Sequence, residues 1–375
     1  MKNSKHCFGY YWNKWIIFLI IQFIFIHFSK AQEKELMNFI SQHPEKVSIM
    51  LKENDSLTIS INADKKIPQA GTSNLLIAIE YAKQVANGTL NPEEKISLKT
   101  LDSCNYFGGN HEVWVKFLQL TGKEQNGMIS LSDVVKGMMS FSSDANATYL
   151  MRRIGLDAIN RNIYFLGIND LKTHEQLYAY QAALLYIRLK DSVNQEQKIE
   201  NLKKMSFSEY KRNTELTESL MQKDKKGSFL EFSKLIKFDR ALAEIWYERL
   251  PRASAKTYLD FIDKIYKHQL INEKAQKVLE DVLESLVMDD LESQSLFKRC
   301  GFKSGSTPFS LSVILYATMP NGKSYTLVSY LHHLEANEYQ EVSKIFHSFN
   351  LMLAVDDKFR EEVVTKLKSL SVNQK

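Results

Sequence analysis

Four short stretches of the chain carry residue types that do chemistry: "PQAGTSN" at 68–74, "SSD" at 142–144, "THEQLY" at 173–178 and "KSGST" at 303–307. Serine hydroxyls with a lysine and carboxylates for company are the materials of nucleophilic and general acid–base catalysis. Each stretch taken singly has a plainer reading. Gly-Thr-Ser is a common helix cap, Ser-Ser-Asp a turn or a cap, and Lys-Ser-Gly a turn opening a strand. What separates the readings is the order of the stretches and the elements that carry them.

Those elements can be read from periodicity. "EKELMNFISQH" reads as a short helix, and "VSIMLKENDSLTISINAD" alternates apolar and polar residues about a turn-forming "ENDS", a hairpin signal. "IPQAGTSNLLIAIEYAKQ" then opens a helix whose Leu75, Ile79, Ala82 and Ala86 recur at three- and four-residue steps. From about 100 to 300 helical patterns dominate, among them "LSDVVKGMMSFSSDANATYLMRRIG", "YAYQAALLYIRL", "AKTYLDFIDKIYKHQ" and "AQKVLEDVLESLV". Strands return at "FSLSVILYATM" and "KSYTLVSYLHHL", joined at Pro320-Asn321-Gly322, and two helical stretches close the chain. The order predicts an α+β fold in which early and late strands share one antiparallel sheet, terminal helices flank it, and a helical part is inserted between. The α/β part is expected over about 32–75 and 300–375, the helical part over about 76–299. Any site would lie in the crevice between them.

The 375 residues are 44% hydrophobic and 25% charged, an ordinary globular composition. The start is different. Lys2, Lys5 and Lys14 precede the apolar run "WIIFLIIQFIFIHF", and Ser29-Lys30-Ala31 fits a small-x-small cleavage site. Residues 1–31 therefore read as a secretory signal peptide cut before Gln32. A retained anchor is the competing reading, against which the run falls short of the ~20 residues of a spanning helix and is broken by Gln22. Removing the segment's four lysines takes the formal charge from +5 to +1. A near-neutral exported chain gives no electrostatic reason to expect a nucleic-acid or membrane-surface partner. Cys7 leaves with the leader, and Cys104 and Cys300 are open to either a disulfide or two buried thiols. No paired Cys/His spacing of the zinc kind appears, so no metal or other cofactor is expected.

Over about residues 45–332 the chain resembles the class A β-lactamases and penicillin-recognising serine hydrolases. The resemblance rests on "INADKKIPQAGTSNLLIAIEYAKQ", on "LSDVVKGMMSFSSDANATYLMRRIG" and on "CGFKSGSTPFSLSVILYATMPNGKSYTLVSYL", which follow in order the settings of that family's S-x-x-K, S-D-N and K-T-G motifs. In that family a serine at a helix start attacks the acyl carbon, a lysine one turn on handles its proton, and backbone N–H groups hold the oxyanion.

Carried over position by position, the resemblance puts Gly71 where the nucleophile belongs and Asn74 where the lysine belongs. Thr72 and Ser73 make poor substitutes. Ser73 is rotated by about 200° from position 71 on a helix, and the residues three beyond them are Leu75 and Leu76. "SEYK" at 208–211 and "SLFK" at 295–298 match the motif only as strings, out of order. Ser142 matches the second-motif serine, with Asp144 where an asparagine is usual, an acceptor in place of an amide donor. Lys303, Ser304 and Gly305 match the third motif, and the N–H groups of Gly71 and Ser306 stand at the oxyanion positions. Glu175 is the nearest candidate for a deacylating glutamate, with His174 beside it read as structural. Three functions follow from this pattern. One is a degenerate family member that binds a peptidoglycan-type or β-lactam-type ligand without acylation. Another is a hydrolase using Ser142 with Lys303, and the last is a secreted partner-binding protein with a filled cleft.

Overall fold

The computed structural model describes residues 30–106, 110–165, 195–224, 226–234 and 239–372. The leader reading, the helical pattern at 178–189 and the candidates His174 and Glu175 lie outside the described residues.

The described chain opens with α1 (Lys30–Gln42), the hairpin β1 (Val47–Glu53) and β2 (Ser56–Ile61), and a two-residue strand β3 (Ile67–Pro68). A 3-10 turn at Gly71–Ser73 leads into α2 (Asn74–Ala86). The helical part follows: β4 (Lys95–Ser97), α3 (Leu98–Asp102), α4 (His111–Thr121), β5 (Met128–Ser130), α5 (Leu131–Phe141), α6 (Asp144–Ile154) and α7 (Leu156–Phe165). It continues through α8 (Gln195–Lys204), α9 (Phe207–Lys223), α10 (Ser228–Lys234), α11 (Arg240–Arg249) and β6 (Arg252–Ala253) to α12 (Ala255–Tyr266), α13 (Glu273–Met288) and α14 (Leu291–Leu296). Strands β7 (Arg299–Thr307), β8 (Ser310–Thr318) and β9 (Ser324–His332) and helices α15 (Ala336–Val355) and α16 (Asp357–Val372) complete it.

Five strands form one antiparallel sheet in the order β2-β1-β9-β8-β7, so the first hairpin does sit beside the last strand. The fold is α+β. Alternation along β8 sends Leu311, Val313, Leu315 and Ala317 into an apolar cluster with α1 and α15, while Ile314 and Tyr316 face a second cluster built around α2. That period of two decides the fate of Lys303: it stands opposite Ile314 and so faces the helices rather than the terminal layer.

Helix α2 is the centre of the helical layer. Every residue from Asn74 to Ala82 is buried, and an all-round buried helix needs an apolar sequence such as "LLIAI". The pairing of β3 with β6, backed by Gln69 N–H donating to Pro251 O at 2.7 Å, fixes the approach to its first turn. A smaller cluster from α8, α9 and α11 packs on Ala70 and Phe309, at the two sides of that approach.

Strand β7 meets β8 closely enough that Gly301 must lack a side chain. A Cβ there would run into the ring of Tyr316, which is buried and whose hydroxyl donates to Glu284 at 2.8 Å. Gly301→Ala is expected to destabilise the fold by about 3 kcal/mol through overpacking, read as a lower urea midpoint at unchanged slope.

Candidate functional site

The stretch "SFSSDAN" looks like a break in one long helix, and two caps make the break. Helix α5 ends at Ser142, which takes the left-handed conformation (φ 53°, ψ 42°) and returns its N–H to Gly137 O. Ser143 immediately N-caps α6 by accepting from Asn146 N–H. A residue with a Cβ in the left-handed region is uncommon, since glycine or asparagine is the usual occupant there. The consequence is directional. Back-to-back caps turn the Ser142 side chain out of both helices and toward the sheet, where Lys303 waits.

Lys303 is fully buried. Its amine lies 2.5 Å from Ser142 Oγ, 3.0 Å from Met139 O and 3.4 Å from Met138 O, the two carbonyls coming from the last turn of α5. Burial pushes the Lys303 amine down to about 7, and the Asp144 carboxylate opposes part of that fall. The two protonation states present different faces of Ser142. A charged amine has three protons for its three oxygens, so the Ser142 hydroxyl proton is free to point into the crevice. A neutral amine has two protons and a lone pair, which draws the Ser142 proton to itself and leaves an acceptor outward.

Gly71 lies against this pair. A Cβ built on it would meet Gly305 Cα at 3.0 Å, Ser304 O at 3.1 Å and Lys303 Cε at 3.8 Å. The two glycines therefore let the first turn before α2 and strand β7 touch backbone to backbone. The neighbouring hydroxyls are turned elsewhere. Thr72 Oγ1 donates to Gln69 Oε1 at 2.8 Å, and Ser73 Oγ donates to Ala70 O at 2.5 Å. Both side chains are fully buried, so neither takes the place that position 71 leaves empty. Gly71 begins a 3-10 turn that runs into the α-helix at Asn74.

Asn74 is buried, and its Oδ1 has no hydrogen-bond partner among the described residues. Such an unmet acceptor costs about 1–3 kcal/mol. Toward the surface, Ser142, Gly71 and Ser304 are half-buried and Ser306 is exposed. The structure thus brings Gly71, Ser142, Lys303, Ser304 and Gly305 together, with Lys303 and Gly305 buried beneath half-buried neighbours. Asp144 adds its field at the amine.

A model of the β-lactamase enzyme family matches residues 31–348. The chain belongs to that family. Among solved structures it is similar to a β-lactamase from Sphaerobacter thermophilus, at 14% identity over 88% of this chain and 98% of that one, with a TM-score of 0.51. It is similar also to a class A β-lactamase representative from Bacteroides cellulosilyticus (15% identity, 86% and 98% covered, TM-score 0.46). A β-lactamase from Chitinophaga pinensis gives 13% identity, 84% and 97% coverage and a TM-score of 0.49. Among curated proteins, none matches the chain in sequence. The Sphaerobacter likeness, at that identity, speaks for the fold alone, the β-lactamase/transpeptidase-like one.

Sequence reasoning did not find the support behind this β-lactamase-family site. Asn110 and His111, at the start of α4, contact the residues on either side of Ser142. The signal for them was slight: an Asn-His pair heading the amphipathic "HEVWVKFLQL", well separated from the second motif. Cys104 and Cys300 are free buried thiols rather than a bridge. Among the described residues no His, Cys, Asp and Glu cluster is placed to hold a metal ion, and no helix is long and apolar enough to cross a membrane.

Proposed function

We propose that this β-lactamase-family protein is exported and binds a carboxylate-bearing ligand of the peptidoglycan-peptide or β-lactam type without being acylated by it. The observation that carries this reading is the contact of Gly71 with Gly305. No hydroxyl stands at position 71, and the space beside it is taken up by strand backbone. Asn74, one turn on, offers an amide in place of a base. What remains suits binding. Ser142 presents a hydroxyl over a buried lysine, and the family resemblance puts the N–H groups of Gly71 and Ser306 at the oxyanion positions. Export is supported by the leader pattern of residues 1–31.

The pH dependence of binding tests the reading. Below the Lys303 midpoint of about 7 the amine is charged and Ser142 turns its proton outward, a donor for a carboxylate. Above it the charge is lost and Ser142 presents an acceptor. Titration calorimetry with benzylpenicillin is expected to give about tenfold tighter non-covalent binding at pH 6 than at pH 8, the ratio of charged fractions around a midpoint of about 7. Lys303→Met is expected to remove both the tightening and most of the affinity. Binding that ignores pH, or survives Lys303→Met, overturns the assignment of Lys303.

A second reading is favoured by one distance. Ser142 Oγ lies 2.5 Å from an amine whose midpoint sits near neutrality, the arrangement of a serine with its own general base. In that reading Ser142 is the acylated residue, and the location of an adduct decides it.

A further inference from the structure

Ser142 holds a left-handed conformation that costs a non-glycine residue energy, so neighbouring contacts must impose it. Besides its own N–H bond to Gly137 O and the Lys303 amine at its hydroxyl, contacts from the N-terminus of α4 grip the residues on either side. Asn110 Nδ2 donates to Phe141 O at 2.8 Å, just before Ser142. The His111 ring lies 3.2 Å from Ser143 Oγ through Nδ1, just after it. Its other nitrogen meets Asp102 Oδ1 at 2.9 Å, at the end of α3. Ser143 Oγ in turn donates to Asn146 Oδ1 at 2.9 Å, and Asn146 Nδ2 donates to Val134 O at 2.8 Å.

Ser143, His111 and Asp102 form the outline of a catalytic triad, but Ser143 is fully buried and its proton is committed to Asn146. The Asp102 carboxylate can only accept from Nε2, and Nδ1 faces Ser143 Oγ. The ring therefore has a partner at each nitrogen. It is a brace, anchored at Asp102 and gripping the cap that follows Ser142. The Trp114 ring packs beside it, with centroids 5.7 Å apart. The close fit of Trp114 and Asn146 is possible because position 137 is glycine, where a Cβ would strike both.

We propose that Asn110 and His111, with Asp102 behind the latter, are positioning residues that hold the Ser142 hydroxyl on Lys303. The proposal rests on the reading of Ser142 and Lys303 as the working pair of the site. It assigns α4 a role in the binding chemistry although the Lys303 amine bonds to Met138, Met139 and Ser142 rather than to α4.

The test is a double-mutant cycle read on the titration of Lys303 in the mature chain, with lysine labelled at Cε and the resonance assigned by its loss in Lys303→Met. Ser142→Ala removes an acceptor that favours the charged amine more than the neutral one. It is expected to lower the midpoint by about one pH unit from about 7. His111→Phe keeps a ring beside Trp114 and is expected to lower it by at least half as much. The double variant should fall no further than Ser142→Ala alone, because both changes remove one interaction. A lower melting temperature with an unmoved Lys303 midpoint would make His111 a structural residue only and overturn the proposal, as would additive shifts. Should His111→Phe fail to fold, the same cycle is read on Asn110→Ala, whose side chain is exposed. The midpoint is measured without ligand. Coupled shifts beside absent benzylpenicillin binding would therefore sink the binding reading alone, and uncoupled shifts beside normal binding would sink the brace alone.

Discussion

Incubated with benzylpenicillin, the mature protein is expected to keep its mass, whereas Gly71→Ser/Asn74→Lys is expected to gain one penicillin equivalent. In a serine hydrolase, loss of the nucleophile or its base lowers kcat by about 10⁶. The two hydroxyls nearest position 71 cannot repair that loss. Thr72 and Ser73 are buried and hydrogen-bonded away from the crevice. Restoring the serine has a structural cost, since its Cβ meets Gly305 Cα at 3.0 Å and Ser304 O at 3.1 Å. Strand β7 must yield by a few tenths of an ångström, so the variant is expected to lose about 1–2 kcal/mol of stability as it gains reactivity. Intact-mass spectrometry reads the adduct and chemical unfolding the stability. An adduct on the unmodified chain would defeat the non-acylating reading. Peptide mapping to Ser142 would then establish the alternative, with Lys303 as its base.

The second large effect is on stability. Lys303 has an ordinary value of 10.5 when exposed in the unfolded chain and about 7 when folded. The sign follows from proton counting. Between those values the unfolded chain holds a proton that the folded chain does not, so stability is greatest above 10.5 and falls as pH drops toward 7. The slope is about 1.4 kcal/mol per pH unit, which accumulates to about 5 kcal/mol over that window. Lys303→Met has no such slope. Chemical unfolding of the two proteins from pH 10 down to pH 7.5 is expected to show the wild type losing stability relative to the variant at that rate. Near pH 7 the variant keeps a penalty of its own, because Met138 O, Met139 O and Ser142 lose their donor, at roughly 1 kcal/mol each. Parallel pH profiles would mean that Lys303 stays charged in the folded protein, and would remove the basis for a binding site that changes character near neutrality.

Much of the architecture was legible because its signals are local. The "ENDS" hairpin and the Pro320-Asn321-Gly322 turn carry their own turn chemistry, and the helices α2, α12, α13 and α15 carry their own periodicity. At Ser142 the Ser-Ser-Asp run signals a turn or cap within the helical pattern of "LSDVVKGMMSFSSDANATYLMRRIG". Only the cap geometry shows that Ser142 ends one helix and Ser143 begins the next. The head of α2 needed the structure as well, which makes Gly71–Ser73 a 3-10 turn ahead of the α-helix.

The site divides along the same line. Residue order alone says which atoms are present: a glycine at 71, an asparagine at 74, and serine and lysine at 142 and 303. It also determined, through the ordered motifs, the family to which those positions belong. Tertiary structure alone decided what those atoms can do. Ser142 and Lys303 are 161 residues apart and meet because sheet alternation turns the lysine toward the helices while two caps turn the serine toward the sheet. Register and desolvation are set by partners far along the chain. The neutral midpoint of Lys303, the seal between Gly71 and Gly305 and the brace from Asp102 through His111 thus arise only when those distant segments pack.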